Sequence, residues 1–340
     1  MKSQQNKRNK LNCILALTIC MFLACSIAVR AQDSVQTASQ SVWPSISEKE
    51  SGKFKFLIIT DMHFIPDGAM IDHEAVLDVK KMIKKFSAEA LVITGDLWNN
   101  NTDHTGQKLL ERTAADFGKL SIPWIFVWGN HDDVDDNAKA DAALEKAKGS
   151  LYRGSLTKGN YVVEIRDPAT GKTVLNMIAL DDGRAGVMNK DAVDWFSAES
   201  AKIKNGSPAP PAFLFFHIPI LQYQEIVDSG LATGVKFEKV CHEGDDGSAF
   251  KEFVKAGFVK AIFVGHDHYN NYSGDLDGIK LVYARSTGFN GEGADKVRKG
   301  ATLVTVDTNS GTFDIESVFP DGSSKKLEGF VTEQENGKIY

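Results

Sequence analysis

Cysteine is scarce in this chain of 340 residues, and most of its cysteines lie near the start. Cys13, Cys20 and Cys25 fall within the first 31 residues, which leaves Cys241 as the remaining thiol. One thiol cannot form an internal disulfide, even in an oxidising compartment. Thiolate sites for soft metals are excluded as well, because such sites need several cysteines. The stability of the fold must therefore come from its apolar core.

Long apolar runs are also lacking, except for the segment at residues 13–29. This run is shorter than the roughly 20 apolar residues that a membrane-spanning helix needs. A basic stretch precedes it, and residues 29–31 (Val-Arg-Ala) offer a cleavage site before Gln32. We therefore expect residues 1–31 to be a signal peptide, and the mature protein to be periplasmic or extracellular with no stable membrane span.

Two alternatives for this segment remain open. It could stay attached as a membrane anchor instead of being cleaved. Residues 22–25 (Phe-Leu-Ala-Cys) also loosely resemble a lipobox, in which case Cys25 would carry a lipid anchor. The protein would then be an outer-surface lipoprotein.

Basic residues are outnumbered by acidic ones in the chain that follows this segment. The whole chain has a formal net charge of −6. Residues 1–31 contain five basic and no acidic residues, so the rest of the chain has a net charge of −11. We expect no nucleic-acid partner, because neutralising a phosphate backbone requires Lys and Arg. A small phosphorylated substrate remains compatible with this charge, since a bound metal ion reverses the local sign.

The order of predicted elements indicates an α/β fold. Residues 32–52 are polar and predict a linker, residues 53–320 carry the periodic segments of one domain, and residues 321–340 predict a polar, peripheral tail. Strands alternate with helices in the first half, which favours parallel pairing, and a hairpin and short strands follow. Predicted strands are 54–60, 90–94, 122–128, 161–166, 173–180, 213–216, 259–264, 279–284, 301–307 and 312–319, and predicted helices are 72–86, 105–120, 191–204 and 248–256.

Polar clusters follow five of the predicted strands. They are Asp61-Met62-His63, Gly95-Asp96, Gly129-Asn130-His131-Asp132, His217, and Gly265-His266-Asp267-His268. Ligands of open α/β sheets gather outside the carboxyl ends of the strands, so we expect these clusters to meet at one place. Oxygen and imidazole donors suit Mn, Fe, Zn or Mg, and the clusters contain enough of them for two divalent ions.

This series of motifs resembles that of the calcineurin-like metallophosphoesterases, over residues 54 to about 320. The resemblance implies a four-layer α/β/β/α sandwich with two mixed sheets. It also implies that Asp96 bridges two metal ions and that His131 faces the substrate as an acid or electrostatic stabiliser. The implied ligands of the first metal are Asp61, His63 and His268, and those of the second are Asn130, His217 and His266. Asp132 is expected to orient His131 through its other ring nitrogen.

The chain resembles a branch related to the purple acid phosphatases, with two departures. The metal-binding tyrosine of that family would fall at the position of Asn99. The family's Asp-x-Gly is replaced by Asp61-Met62-His63. A tyrosinate-to-iron bond is therefore unavailable from that position.

The expected function is that of a secreted phosphohydrolase that cleaves a phosphomonoester with a metal-activated water. Phosphodiesterase or nucleotide pyrophosphatase activity at the same site is the alternative, and a non-catalytic metal- or phosphate-binding protein is a further one. Several other residues have both a functional and a structural interpretation. Cys241-His242-Glu243 is either a third metal site or an exposed loop, and Arg184 and Arg285 either bind phosphate or form ion pairs. The run Asn99, Asn100 and Asn101 either reaches the substrate or forms a turn. Trp98 and Trp128 either stack on a substrate or pack in the core.

Overall fold

The structure, a computed structural model, describes residues 43–66, 68–205, 208–291, 296–333, 335 and 338–340. The strands are β1 Ser45–Ser47, β2 Lys53–Ile59, β3 Ala90–Thr94, β4 Trp124–Val127, β5 Tyr161–Arg166, β6 Thr173–Ala179, β7 Ala212–Phe215, β8 Thr233–Lys236, β9 Val259–Val264, β10 Asn270–Leu276, β11 Ile279–Tyr283, β12 Ala301–Asp307, β13 Thr312–Val318, β14 Ser324–Lys326 and β15 Phe330–Val331. The helices are α1 Ala69–Phe86, α2 Gly106–Phe117, α3 Asn137–Lys146, α4 Lys190–Lys204, α5 Gln222–Asp228 and α6 Ser248–Ala256. Among these residues no helix combines the length and the apolarity that crossing a bilayer requires.

The smaller sheet has six strands in the order β14-β13-β12-β2-β3-β4. Strands β2, β3 and β4 are parallel, with Ile58 beside Val92 and Val92 beside Ile125. These apolar strands are buried on both faces, as parallel strands covered by helices should be. β12, β13 and β14 complete the sheet in antiparallel orientation. The carboxyl ends of β2, β3 and β4 therefore lie at one edge.

The larger sheet has nine strands in the order β1-β5-β6-β7-β9-β11-β10-β8-β15. Strands β6, β7, β9 and β11 are parallel, whereas β5, β10 and β8 pair antiparallel with their inner neighbours. The predicted hairpin is the β5–β6 pair. Both sheets are thus mixed, as predicted.

An aromatic core joins the two sheets. The ring of Phe56 on β2 lies 5.9–6.2 Å from the rings of Phe213, Phe215 and Phe263 on β7 and β9. Apolar residues of α1 and α2 belong to the same core cluster as the smaller sheet. Apolar residues of α4 and α6 form a second cluster with the larger sheet. The result is the predicted α/β/β/α sandwich, with the ends of β2, β3, β4, β7 and β9 at one rim.

Parts of the predicted linker and tail form strands that pair with the two sheets. Residues 1–42 lie outside the described part of the chain, so the signal peptide at residues 1–31 and the first part of the linker stay predictions. Within residues 43–52, however, β1 pairs with β5, because this short polar segment uses its backbone to extend the sheet edge. Trp43 packs edge-on against Trp195.

The described residues of the tail at 321–340 are mostly exposed, as expected of a peripheral segment, but parts of it pair with the two sheets. β14 extends the smaller sheet and β15 the larger one. Tyr340 is buried beside Val235 and Val297, and its carbonyl group accepts a hydrogen bond from the Arg298 amide at 2.8 Å. Backbone pairing does not require apolar side chains, so the polar composition of this segment did not reveal the two strands.

Candidate metal centre

The five polar clusters meet at the rim where the two sheets adjoin. The described residues contain two groups of donor side chains whose ligand atoms all lie within 4.8 Å of one another. One group is Asp61, His63, Asp96 and His268, and the other is Asp96, His217 and His266. Asp96 belongs to both groups, which is the arrangement that a carboxylate bridging two cations requires.

The first group presents two imidazoles to each other. Nε2 of His63 lies 3.0 Å from Nε2 of His268 and 3.6 Å from Oδ2 of Asp96. Nε2 of His268 lies 3.5 Å from Oδ1 of Asp61. Two carboxylates and two ring nitrogens therefore converge on one point, a donor set that suits a hard or borderline divalent cation.

Two buried polar atoms of the predicted second ligand set have no hydrogen-bond partner within the fold. His217 Nδ1 lies 2.7 Å from the carbonyl oxygen of Thr94, so Nδ1 carries the proton and Nε2 is left with its lone pair. That Nε2 makes no hydrogen bond, although Oδ2 of Asp96 lies 3.2 Å away. Oδ1 of Asn130 is buried and likewise unpaired. Because unpaired buried polar atoms are rare and unfavourable, a cation fits this position.

The electrostatics also favour cation binding. Burial opposes ionisation of Asp61 and Asp96, but the adjacent histidines, His268 for the former and His217 for the latter, lower the pKa of both carboxyl groups. Both are therefore ionised at neutral pH. Burial lowers the pKa of His63 to about 4, so this ring is neutral and able to donate its lone pair. Burial acts the same way on His217, but Asp96 and Asp61 outweigh it and raise its pKa to about 10, so a cation that binds Nε2 must displace a proton from it.

Backbone conformation explains why these motifs contain the residues they do. Asp61, His63, Asp96 and His266 all have positive φ angles, between 47° and 77°. Such conformations are unfavourable for residues other than glycine and concentrate at functional sites. Gly129 is required by a close approach, since a Cβ there would lie 2.2 Å from the Asp96 amide nitrogen.

His131 lies beside the first group without belonging to it. Its backbone amide donates to Oδ1 of Asp96 at 2.9 Å, and its ring centroid is 5.1 Å from that of His63. Its Nδ1 lies 3.0 Å from Oδ1 of Asn100, and the Asn100 amide donates to the His131 carbonyl at 2.9 Å. Two contacts with Asn100 thus hold this side chain and its backbone.

The predicted role of Asp132 in orienting His131 is wrong. Oδ1 of Asp132 accepts hydrogen bonds from the Leu97 and Trp98 amides at 2.7 and 3.1 Å, and Oδ2 accepts one from Gly129 at 2.8 Å. The Asp132 carboxylate is buried, and both of its oxygens accept these backbone hydrogen bonds, which join the loops after β3 and β4. Asn100 takes the predicted position next to the ring. The only signal for it was the Asn99-Asn100-Asn101 run.

Asp182 supports the loop of His217 in a similar way and was missed in the sequence. Its two oxygens accept hydrogen bonds from the amides of His217 and Ile218 at 3.0 and 3.1 Å. Burial raises the pKa of Asp182 to about 7, and the nearby His217 opposes this shift. The available signal was its position three residues after the end of β6.

The other candidates have structural roles. Arg184 forms ion pairs with Asp181 and Asp141 and lies 4.5 Å above the ring of Trp128. Arg285 donates to the carbonyl oxygens of Arg298 and Tyr340. Trp98 and Trp128 are both fully buried, and each indole N–H has an acceptor within the fold. Neither arginine is directed to the donor groups, and neither tryptophan offers a surface for stacking.

Comparisons with known proteins agree with this geometry. The sequence pattern of the calcineurin-like phosphoesterase family matches residues 54–270. The chain is 26% identical over 304 residues to "Probable inactive purple acid phosphatase 29" of Arabidopsis thaliana, covering 76% of this chain and 78% of that protein. It is 24% identical over 277 residues to "Phosphatase DCR2" of Saccharomyces cerevisiae, covering 67% of this chain and 46% of that protein.

Solved structures show the same fold at low sequence identity. A dimetal phosphatase from Danio rerio superimposes with a TM-score of 0.53 at 12% identity, covering 82% of this chain and 98% of that one. GAP50, described as the anchor in the inner membrane complex of Plasmodium, superimposes with a TM-score of 0.52 at 14% identity, covering 85% and 91%.

Proposed function

Because this chain belongs to the calcineurin-like phosphoesterase family, we propose that it is a metal-dependent phosphoester hydrolase whose preferred substrates are small phosphomonoesters. The observation that carries the proposal is the pair of donor groups that share Asp96, with His131 beside them. Fold alone would not support a function, because one fold hosts many activities. Here the support comes from the identity and position of the side chains.

The predicted ligands form two sets, one for each of two divalent ions. Asp61, His63 and His268 would hold one divalent ion, Asn130, His217 and His266 a second one, and Asp96 both. Such a pair supplies charge stabilisation and an activated water for an in-line displacement at phosphorus. His131 is placed to donate a proton or a hydrogen bond to the leaving oxygen, and Asn100 holds its ring in that orientation.

Some relatives carry the word "inactive" in their names, which makes the completeness of this site important. Every expected donor is present in this chain, and six of the seven belong to the two groups of mutually close donor atoms. The unpaired Oδ1 of Asn130 and Nε2 of His217 support this interpretation, because a bound cation would satisfy both buried atoms. We therefore assign hydrolysis, rather than binding alone, to this site.

The test is a metal analysis followed by an ester panel. Protein loaded with Mn²⁺ or Zn²⁺ should bind two ions and release phosphate from monoester model substrates faster than it cleaves diesters or nucleotide pyrophosphates. His131→Ala should retain both ions and lose turnover by roughly 10²- to 10⁴-fold, the usual contribution of a positioned acid. A fully loaded wild-type protein that cleaves no ester in the panel would refute the proposal, and a preference for diesters would move the assignment to a phosphodiesterase.

Export is the second part of the proposal. The basic and apolar character of residues 1–31 supports a leader that is cleaved before Gln32. Mass spectrometry of the mature protein should find a chain that starts at Gln32. A chain that starts at a lipid-modified Cys25 would indicate a lipoprotein instead, and an unprocessed N-terminus would contradict export by cleavage.

A further inference from the structure

Glu243 is an acidic residue beside the metal centre that lies outside the five polar clusters and belongs to the Cys241-His242-Glu243 segment. It lies in the loop between β8 and α6, and its Oε1 is 3.5 Å from Nε2 of His266. His266 belongs to the second donor group, with Asp96 and His217. About half of the Glu243 side chain is exposed, so its carboxylate lies beside His266 at the protein surface.

The loop that carries Glu243 is anchored on both sides of this residue. Before it, the Cys241 amide donates to Oδ2 of Asp267 at 3.1 Å, and Asp267 stands between the two ligand histidines of its motif. After it, Oδ2 of the buried Asp245 accepts hydrogen bonds from the amides of Leu221 and Gly247 at 2.9 and 3.0 Å. The backbone on both sides of Glu243 is therefore anchored, which keeps its carboxylate within reach of His266.

The backbone of Glu243 has a conformation that is uncommon for glutamate. Its φ angle is 48°, in the left-handed region, and the angle of the following Gly244 is 85°. Such conformations persist where the surroundings impose them. They occur at the metal centre, in Asp61, His63, Asp96, Asn100 and His266, and also away from it, as in Asp277, so the placement of Glu243 rests on its contact with His266.

We propose that Glu243 belongs to the second cation position, where its carboxylate holds the His266 imidazole and adds negative charge beside the cation. Metal-binding histidines commonly pair their other ring nitrogen with a carboxylate, which orients the ring and makes it a stronger donor. With Glu243 facing Nε2, the ring of His266 is fixed relative to Asp96 and His217. The inference shares with the proposed function the premise that two cations bind here. It does not require that the site hydrolyses esters.

The experiment measures binding of Mn²⁺ to metal-free protein, with electron paramagnetic resonance to separate isolated from spin-coupled ions. Wild type should take up two ions and show the coupled signal. Glu243→Ala should bind the first ion normally and the second about 10- to 100-fold more weakly, which is the usual effect of removing such a carboxylate partner. Glu243→Gln keeps the shape without the charge, so its second-site affinity should fall between the two.

Glu225→Ala is the matched control, since Glu225 is an exposed glutamate on α5. It should bind both ions as wild type does, and all metal-free variants should melt at the same temperature. A second-site affinity of Glu243→Ala within twofold of wild type would overturn the inference, as would equal weakening of both ions. Two coupled ions in a wild-type protein without esterase activity would refute only the proposed hydrolysis, so the two failures are distinguishable.

Discussion

Asn100→Gly should separate turnover from metal binding. The substitution removes the Oδ1 atom that lies 3.0 Å from Nδ1 of His131. Asn100 has a φ angle of 56°, which glycine adopts without strain, so the backbone and its hydrogen bond to the His131 carbonyl should survive. Asn100 is not among the donor residues, and the metal content should therefore stay at the wild-type level.

The size of the effect follows from the lost hydrogen bond. In the proposed role of acid, the His131 ring makes this hydrogen bond as a charged group, and such a bond contributes about 1.5–3 kcal/mol. At about 1.4 kcal/mol per factor of ten, kcat should fall roughly 10- to 150-fold. Asn100→Asp keeps an acceptor for Nδ1 of His131, so its kcat should stay closer to wild type than that of Asn100→Gly.

The assay compares kcat as a function of pH for metal-loaded wild type, both Asn100 variants and Asp277→Gly. Asp277 has a φ angle of 48° at an exposed hairpin turn, so its replacement makes the same backbone change away from the site. The control should match wild type. If Asn100→Gly turned over within twofold of this control, with both ions bound, the idea that Asn100 positions His131 would be refuted.

Three further predictions concern stability and loading. Phe56→Ala should lower the free energy of unfolding by about 3–5 kcal/mol, because it removes the ring shared by both sheets; an unchanged urea midpoint would contradict the described core. Asp182→Ala should lower it by about 1–3 kcal/mol for each amide left unpaired, at His217 and Ile218, and should weaken the second ion; unaltered urea unfolding and metal titration would show that this carboxylate is dispensable. Removing the metal ions with a chelator should lower the melting temperature of wild type, since a ligand at about 100 times its Kd stabilises the fold by about 2.7 kcal/mol. Asp96→Asn should lose most of this metal-dependent shift. A full shift in that variant would argue against a bridging role for Asp96.

The fold was largely readable from the chain because apolar runs and polar strand ends coincide. β3, for example, is buried at every position and ends directly before Gly95-Asp96. Parallel strands place such ends at one edge, so the positions of Asp61, Asp96 and His217 relative to one another follow from topology. The predicted helix at residues 248–256 and the strand at 259–264 were confirmed to the residue.

The hydrogen-bond partners of the side chains could not be predicted from the sequence in the same way. Asp132 stands next to His131 in sequence, yet its oxygens bind three backbone amides, because a buried turn must satisfy its own N–H groups first. The residue that does face His131 comes from another loop, and only the fold brings the two together. β10 was missed for a related reason: its buried Asn271 is polar, but it donates to the Tyr283 carbonyl and accepts from Ser317 within the fold.

The most direct test of the metal centre is anomalous diffraction from crystals grown with Mn²⁺. Two peaks should appear on either side of Asp96, one bounded by Asp61, His63 and His268 and the other by Asn130, His217 and His266. Their separation should be roughly 3.5–4 Å, as in other two-metal sites. A single peak, or peaks that do not share Asp96, would contradict the account.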